Sequence, residues 1–194
     1  MIVLMSAFLL LSAFSCGGGN KANSTSEQSE ETAVNVPQFD ADSAYLYVKN
    51  QVDFGPRVPN TKEHVACGNY LAGQLEAFGA QVTNQYADLI AYDGTLLKAR
   101  NIIGSYKPES KKRIALFAHW DTRPWADNDP DEKNHNTPIL GANDGASGVG
   151  ALLEIARLVN QQQPELGIDI ILLDAEDYGA PQFYTGQHKE EFWC

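Results

Sequence analysis

The chain has 194 residues, with 25 acidic against 14 basic side chains and a formal net charge of −11. A chain this acidic repels phosphate backbones, which excludes nucleic acid as a partner. Hydrophobic residues make up 43% of the sequence, enough for the packed core of one domain of ordinary size. Beyond the N-terminal segment, no stretch is long and apolar enough to span a bilayer.

The first sixteen residues differ from the rest of the chain. Residues 1–14 are almost wholly apolar and are followed by Ser15, Cys16 and a run of glycines, which is typical of an export signal. A cysteine at this place resembles the acylation site of bacterial lipoproteins, so we predict that residues 1–16 are a lipoprotein signal and that Cys16 carries a lipid. The alternatives are a plain cleaved signal peptide or a start codon placed too late. We expect an exported protein, periplasmic or anchored to a bacterial membrane only through this lipid.

Residues 17–38 are rich in small and polar side chains and cannot bury enough surface to fold, so we predict a flexible linker. The folded domain is predicted over residues 39–194. In an exported protein Cys67 and Cys194 could form a disulfide. The alternative, which we favour, is that Cys67 is a small buried helix residue.

Two helices are predicted at the start of the domain. Apolar residues at helical spacing indicate a helix over residues 42–52, and the Pro-Arg-Val-Pro run at residues 56–59 indicates a constrained extended turn. Asn60 with Glu63 three residues later resembles a capping box, which predicts the start of a second helix. Gly79 is predicted to end that helix.

The next elements form a strand–helix–strand pattern. Residues 81–86 and part of residues 96–106 resemble strands, and the apolar run at residues 114–118 suits a central strand covered on both faces. Residues 148–163 carry an apolar stripe at helical spacing, and residues 168–173 form a second buried strand. Strand, helix and strand in this order predict a βαβ unit whose two strands are parallel in one sheet.

Three polar clusters lie where these elements end or begin. Residues 119–121 follow the first buried strand, residues 143–145 precede the helix, and residues 174–177 follow the second buried strand. The carboxyl ends of parallel strands meet at one edge of a sheet, and ligands bind at that edge. Each cluster alone could be an ordinary polar loop, but their predicted convergence favours a functional site.

The residue types in these clusters suit a divalent metal. Histidine nitrogen and carboxylate oxygen are both zinc ligands. Asp121 could accept the second imidazole N–H of His119 and so fix the orientation of the ring. The adjacent carboxylates of Glu176 and Asp177 would repel each other unless a cation or a shared proton separates them. The natural division is one metal ligand and one proton shuttle.

Other polar residues are not assigned to this site. The alternating acids after His119 lack the glycine and glutamate spacing of an EF-hand. Their loop could line a pocket or be solvated, and we favour a solvated loop for the acids. The remaining histidines have no partners at ligand spacing. These unassigned residues are Asp127, Asp129, Asp131, His64, His135 and His188.

The motifs at residues 119–122, 141–148 and 174–177 together resemble the M28 metallopeptidase superfamily. Within it, residues 56–59 and 101–104 are most similar to the bacterial glutaminyl-peptide cyclotransferases. The resemblance covers nearly all of the predicted domain. It implies a three-layer α/β/α fold with a mostly parallel central sheet, of the phosphorylase/hydrolase-like zinc exopeptidase type.

The resemblance also implies roles for individual residues. Asp144 matches the metal-ligand aspartate, and Asp177 matches a second carboxylate ligand, where many relatives have Glu. Glu176 matches the general acid/base. His119 matches a ligand of the second zinc in two-metal aminopeptidases, whereas the matching histidine of the single-zinc cyclases does not hold the metal. One zinc is therefore expected for a cyclase and two for an aminopeptidase.

The implied function is cyclisation of an N-terminal glutamine of a peptide or protein to pyroglutamate, with release of ammonia. The alternatives are a zinc-dependent M28 aminopeptidase and an inactive exported fragment. The family supplies a further histidine ligand from later in the chain, and His188 lies too soon after Asp177 to replace it. We therefore expect a domain that is incomplete at its C-terminus and binds metal weakly.

Overall fold

The computed structural model describes residues 35–186. Residues 36–186 belong to one compact unit. The predictions for the export signal, for most of the linker, and for His188 and Cys194 fall outside the described residues. Within residues 35–186, no helix is long and apolar enough to cross a membrane.

Three helices and four strands lie within residues 35–186, and each of them was predicted from the sequence. β1 continues four residues beyond the predicted end at residue 86. In chain order the elements are α1 (Ala41–Val52), α2 (Lys62–Ala77), β1 (Gln81–Ile90), β2 (Leu96–Tyr106), β3 (Arg113–His119), α3 (Ala146–Gln161) and β4 (Gly167–Leu173). A short 3-10 turn, Glu132–Asn134, lies between β3 and α3.

The predicted capping box that starts at Asn60 is wrong. α2 is capped by Thr61, whose hydroxyl accepts a hydrogen bond from the backbone N–H of His64 at 3.2 Å. Asn60 instead bridges to β2: its side chain accepts from the N–H of Lys98 at 2.8 Å and donates to the carbonyl of Leu96 at 2.9 Å. The Asn60 side chain is therefore bonded to β2 and does not cap α2, contrary to what the local pattern predicted.

The sheet has the strand order β1-β2-β4-β3. β3 and β4 are parallel, as the βαβ pattern predicts, with Leu116 opposite Ile170. β2 pairs antiparallel with both β1 and β4. The α/β class is confirmed, and the described part of the sheet is mixed, with its one parallel pairing between the strands that carry the site.

The core fills the space between one face of the sheet and the helices α2 and α3. Alternate residues of the paired strands point to this face, as the two-residue period of a strand requires. α1 packs on α3. The fully buried side chains of this core include Leu71, Leu75, Ile102, Val149, Leu153, Ile170 and Leu172.

The opposite face of the sheet is not covered by the helices of the described region. β3 lies at one edge of the sheet, and Phe117, which pairs with Ile171 on that opposite face, is 59% exposed. The prediction that residues 114–118 form a central strand covered on both faces is therefore wrong for residues 35–186. An apolar run records the tendency of a strand to be buried, but it does not specify the element that covers it.

Candidate metal centre

The three polar clusters meet at the carboxyl edge of the β3–β4 pair. His119 is the last residue of β3, and its register partner Leu173 is the last residue of β4. Asp144 lies just before α3, and Glu176 and Asp177 lie in the loop after β4. The parallel pairing aligns the two strand ends, so loops that are distant in the chain become neighbours. The predicted convergence is present in the structure.

His119 is surrounded by carboxylates. Its Nε2 lies 2.9 Å from Asp144 Oδ1, and its Nδ1 lies 3.4 Å from Asp121 Oδ1 and 3.7 Å from Glu176 Oε2. The Nδ1 contacts are close ion-pair contacts rather than aligned hydrogen bonds, and Nδ1 has no hydrogen-bond partner among the described residues. The carboxylates, Asp121 first, outweigh the effect of burial and raise the pKa of His119 to about 9.

Asp121 organises the loop that carries the other two acids. Its side chain is fully buried, and its two oxygens accept the backbone N–H groups of Glu176 at 3.2 Å and Asp177 at 3.0 Å. The sequence predicted only that Asp121 would orient His119. The structure adds a second task, because the same carboxylate joins the end of β3 to the loop after β4.

Asp177 is a buried carboxylate whose bonding capacity is not filled. Its side chain is 12% exposed, and its Oδ2 has no hydrogen-bond partner within the part of the chain that the structure describes. Arg123 approaches Oδ1 at 3.5 Å. Burial, followed by the negative charges of Asp144 and Asp121, raises the pKa of Asp177 to about 6. A cation at this place would relieve both the burial cost and the repulsion.

The donor set fits zinc, which takes imidazole nitrogen and carboxylate oxygen. The orphaned oxygen of Asp177 and the neighbouring carboxylate of Asp144 are two suitable donors. Across residues 35–186, no three His, Cys, Asp or Glu side chains are arranged as a complete metal site. These two carboxylates are therefore candidate donors for a metal, and they do not form a complete coordination shell by themselves.

Gly145 lets the chain turn tightly beside His119. Its φ of 95° lies in the region that favours glycine, and a Cβ there would come 2.6 Å from the backbone oxygen of Asp121. The glycine in the Asn-Asp-Gly sequence thus places Asp144 against the end of β3.

Arg57 supports the site from beneath, a role that sequence reasoning missed. Its guanidinium is fully buried and donates hydrogen bonds to the carbonyls of Trp120 at 3.2 Å, Leu140 at 2.6 Å and Gly141 at 2.9 Å. It thereby links the chain after β3 to the loop that leads to Asp144. The sequence signal is an arginine between two prolines, which we interpreted as a turn and as part of the resemblance to the cyclotransferases, without a role for Arg57 itself.

His64 and Asp174 form a second support that the sequence did not reveal. His64 Nε2 lies 2.8 and 2.9 Å from the two oxygens of Asp174, and both side chains are buried. Asp174 also accepts the backbone N–H groups of Arg100 at 2.6 Å and Ala175 at 2.8 Å. Ala175 has a φ of 61°, so the loop turns sharply before Glu176. The pair lies 110 residues apart in the chain, and no local pattern indicates it.

The interpretation of the acidic loop after His119 as solvated is wrong for Asp127. Asp127 is only 6% exposed and accepts two hydrogen bonds from Arg123, at 2.7 and 2.6 Å. It also accepts the backbone N–H of Gln182 at 2.8 Å. This pairing holds Arg123 in place, close to Asp177.

Fold and site together define an α/β domain with a candidate metal centre at the carboxyl edge of a βαβ unit. Residues 101–192 match the model of Peptidase family M28. The matched residues include all three motifs, which confirms the resemblance inferred from them.

Three solved structures show how far the similarity extends. The chain is 94% identical to the glutaminyl cyclase of Bacteroides thetaiotaomicron bound to N-acetylhistamine, with a TM-score of 0.81 over 82% of this chain and 55% of that one. It is also 94% identical to a leucine aminopeptidase precursor from the same organism, with a TM-score of 0.81 over 83% and 56%. It is 57% identical to Tannerella forsythia glutaminyl cyclase, with a TM-score of 0.79 over 81% and 54%. The chain thus spans about half the length of each.

Proposed function

We propose that this chain contributes to a zinc-dependent glutaminyl-peptide cyclotransferase, which converts an N-terminal glutamine to pyroglutamate and releases ammonia. The observation that carries the proposal is that the Asp121 carboxylate accepts hydrogen bonds from the backbone N–H groups of Glu176 and Asp177. These bonds hold both acids at the sheet edge, close to Asp144. The proteins named glutaminyl cyclases among the similar structures support this choice of reaction. The substrates are then peptide or protein N-termini.

Asp144 and Asp177 would hold the zinc. When bound, the zinc supplies Lewis-acid polarisation of the γ-amide carbonyl of the substrate glutamine. Glu176, whose side chain is 47% exposed, is free to face the substrate. It takes a proton from the α-amine as this attacks the amide carbon, and it returns the proton to the leaving ammonia.

One zinc suffices for this reaction because the nucleophile is the substrate's own amine. The single-zinc scheme leaves His119 Nε2 free to keep its 2.9 Å contact with Asp144 Oδ1. In this scheme His119 holds the Asp144 carboxylate from the side.

The second candidate is a two-zinc aminopeptidase, which is favoured by the 94% identity to a leucine aminopeptidase precursor. In this reaction His119, Asp144 and Asp177 would be zinc ligands, and Glu176 would take a proton from a water molecule. Metal analysis separates the two candidates, because the cyclase requires one zinc per chain and the aminopeptidase two.

The test of the reaction is a chimeric enzyme in which this chain replaces the matching half of the B. thetaiotaomicron cyclase. We expect it to release ammonia and pyroglutamate from a peptide that begins with glutamine. Glu176→Gln should abolish this turnover, whereas Glu165→Gln, at an exposed position, should preserve it. Release of a free N-terminal amino acid instead would establish the aminopeptidase, and full cyclase activity of Glu176→Gln would refute the assigned role.

Export and lipid attachment at Cys16 are a separate proposal that rests on the sequence alone. Metabolic labelling with radioactive palmitate should mark the chain, and Cys16→Ser should abolish the label. An unlabelled but secreted wild-type chain would support the plain signal peptide instead.

A further inference from the structure

A cavity of about 190 Å³ lies between α2 and the β1–β2 hairpin. None of its lining residues is His119, Asp121, Asp144, Glu176 or Asp177. Its walls come from three elements and from the chain after β3. The lining residues are His64, Val65, Asn69, Tyr86, Lys98, Arg100 and Trp120.

The lining combines aromatic surfaces with positive charge. The His64 ring stacks on Trp120 with a centroid distance of 4.3 Å, and the Arg100 guanidinium lies 5.6 Å from the ring centroid of Tyr86. Lys98 adds a second cation at the wall, and its ammonium is paired with Asp88 at 2.8 Å. No acidic side chain is among the lining residues, although the chain as a whole carries a net charge of −11.

Arg100 is a buried cation at the wall of the cavity. It is 9% exposed, and its guanidinium donates to two neutral amide oxygens, Asn84 Oδ1 at 2.9 Å and Asn69 Oδ1 at 2.8 Å. Among residues 35–186 no carboxylate lies within ion-pair distance of it. A buried cation without a counter-charge is costly, and an anion in the cavity would relieve that cost.

We propose that this cavity binds a small aromatic carboxylate, a function separate from the proposed cyclase reaction. The carboxylate would pair with the guanidinium of Arg100, since charge-assisted bonds from arginine to a carboxylate are strong and directional. The ring would lie against Tyr86, which is 71% exposed. The size agrees, because an apolar cavity of roughly 150 Å³ holds benzene, and the additional volume accommodates a carboxylate group.

The test is a titration of the full chain with benzoate in the presence of a metal chelator, which prevents binding through a metal. The backbone amide signals of Asn69, Tyr86 and Arg100 are followed by NMR. We expect saturable shifts with a Kd of about 1 mM or tighter, a reasonable affinity for nine non-hydrogen atoms. Benzyl alcohol, which has the same ring without the charge, should bind at least about tenfold more weakly. The absence of saturable shifts, or equal binding of the two compounds, would overturn the proposal.

Two variants localise the binding. Arg100→Met should weaken benzoate binding by about tenfold or more, because it removes the charged donor. Since that change is in the interior, Val65→Trp serves as a second variant: Val65 is 56% exposed at the cavity wall, and the larger side chain should block entry without disturbing the fold. Leu46→Trp is the matched control at a 52% exposed position on α1 and should leave binding unchanged. Unaltered benzoate binding by a folded Val65→Trp chain would place the ligand elsewhere and refute the assignment.

Discussion

Replacement of Asp121 by asparagine should disturb the candidate site through two measurable effects. The buried carboxylate accepts two backbone N–H groups, from Glu176 at 3.2 Å and Asp177 at 3.0 Å, and lies 3.4 Å from His119 Nδ1. An asparagine keeps one acceptor oxygen and turns an NH2 group toward the other donor. Loss of one charge-assisted hydrogen bond, with the opposing N–H left unpaired, should lower the free energy of unfolding by about 2–4 kcal/mol.

The second effect concerns the protonation of His119. The carboxylate of Asp121 is the largest cause of the elevated pKa of about 9, so Asp121→Asn should lower it toward the ordinary value. A folded-state pKa raised above the unfolded one stabilises the fold fully below about pH 6.5, and this contribution disappears as the pH rises through the folded pKa. The wild-type chain should therefore lose stability between about pH 6.5 and 9, and the variant should lose much less.

Urea unfolding of the metal-free chain at pH 6 and pH 9, with a parallel NMR titration of the His119 ring, measures both effects. Asp131→Asn, an exposed substitution in the loop after β3, is the control and should change neither quantity. The reasoning is refuted if Asp121→Asn retains wild-type stability at both pH values and an unchanged His119 pKa.

Three further predictions test the supports of the site. Arg57→Met should lower the free energy of unfolding in urea by about 3–5 kcal/mol, because three carbonyl oxygens lose their donor. The control is Lys62→Met, whose wild-type side chain is 92% exposed, and it should change the free energy of unfolding by less than about 0.5 kcal/mol. Asp177→Asn should stabilise the metal-free chain at pH 7, because the acid, with a pKa of about 6, is ionised there against burial and neighbouring charge. Cys67 should resist iodoacetamide at pH 8 in the native chain and react in urea, because burial raises the pKa of its thiol to about 12.

Each of these predictions has a contradicting result. A loss below about 1 kcal/mol for Arg57→Met would mean that the three carbonyls find other partners. Lower stability of metal-free Asp177→Asn at pH 7 would mean that the wild-type carboxylate makes favourable contacts that outweigh its burial. Rapid native labelling of Cys67, read by mass spectrometry of its peptide, would mean that α2 opens readily.

The features predicted from the sequence are those that follow from local patterns. The βαβ unit follows from two apolar runs and one helical stripe, and the position of His119 and Asp144 follows from the rule that parallel strands end at one edge. The family motifs then supplied the expected roles of Glu176 and Asp177.

The features that the sequence did not predict depend on contacts between distant residues. Arg57 donates hydrogen bonds to carbonyls of distant segments, and His64 pairs with Asp174 across 110 residues of chain. No periodicity in the sequence relates these segments. Asn60 was misassigned for the same reason, because its side chain bonds β2 rather than the helix terminus. The exposed Phe117 shows a limit of hydrophobic patterns. An apolar run indicates that a strand tends to be buried, but it does not specify which element packs against it.

The measurement that tests the central claim most directly is a crystal structure of the zinc-soaked chain, with anomalous scattering recorded at the zinc absorption edge. The account predicts one anomalous peak at about 2.0–2.2 Å from carboxylate oxygens of both Asp144 and Asp177. A second peak on His119 would instead support the two-zinc aminopeptidase. If crystals soaked in excess zinc show no anomalous peak at the carboxyl edge of the β3–β4 pair, the assignment of these carboxylates as a metal centre is contradicted.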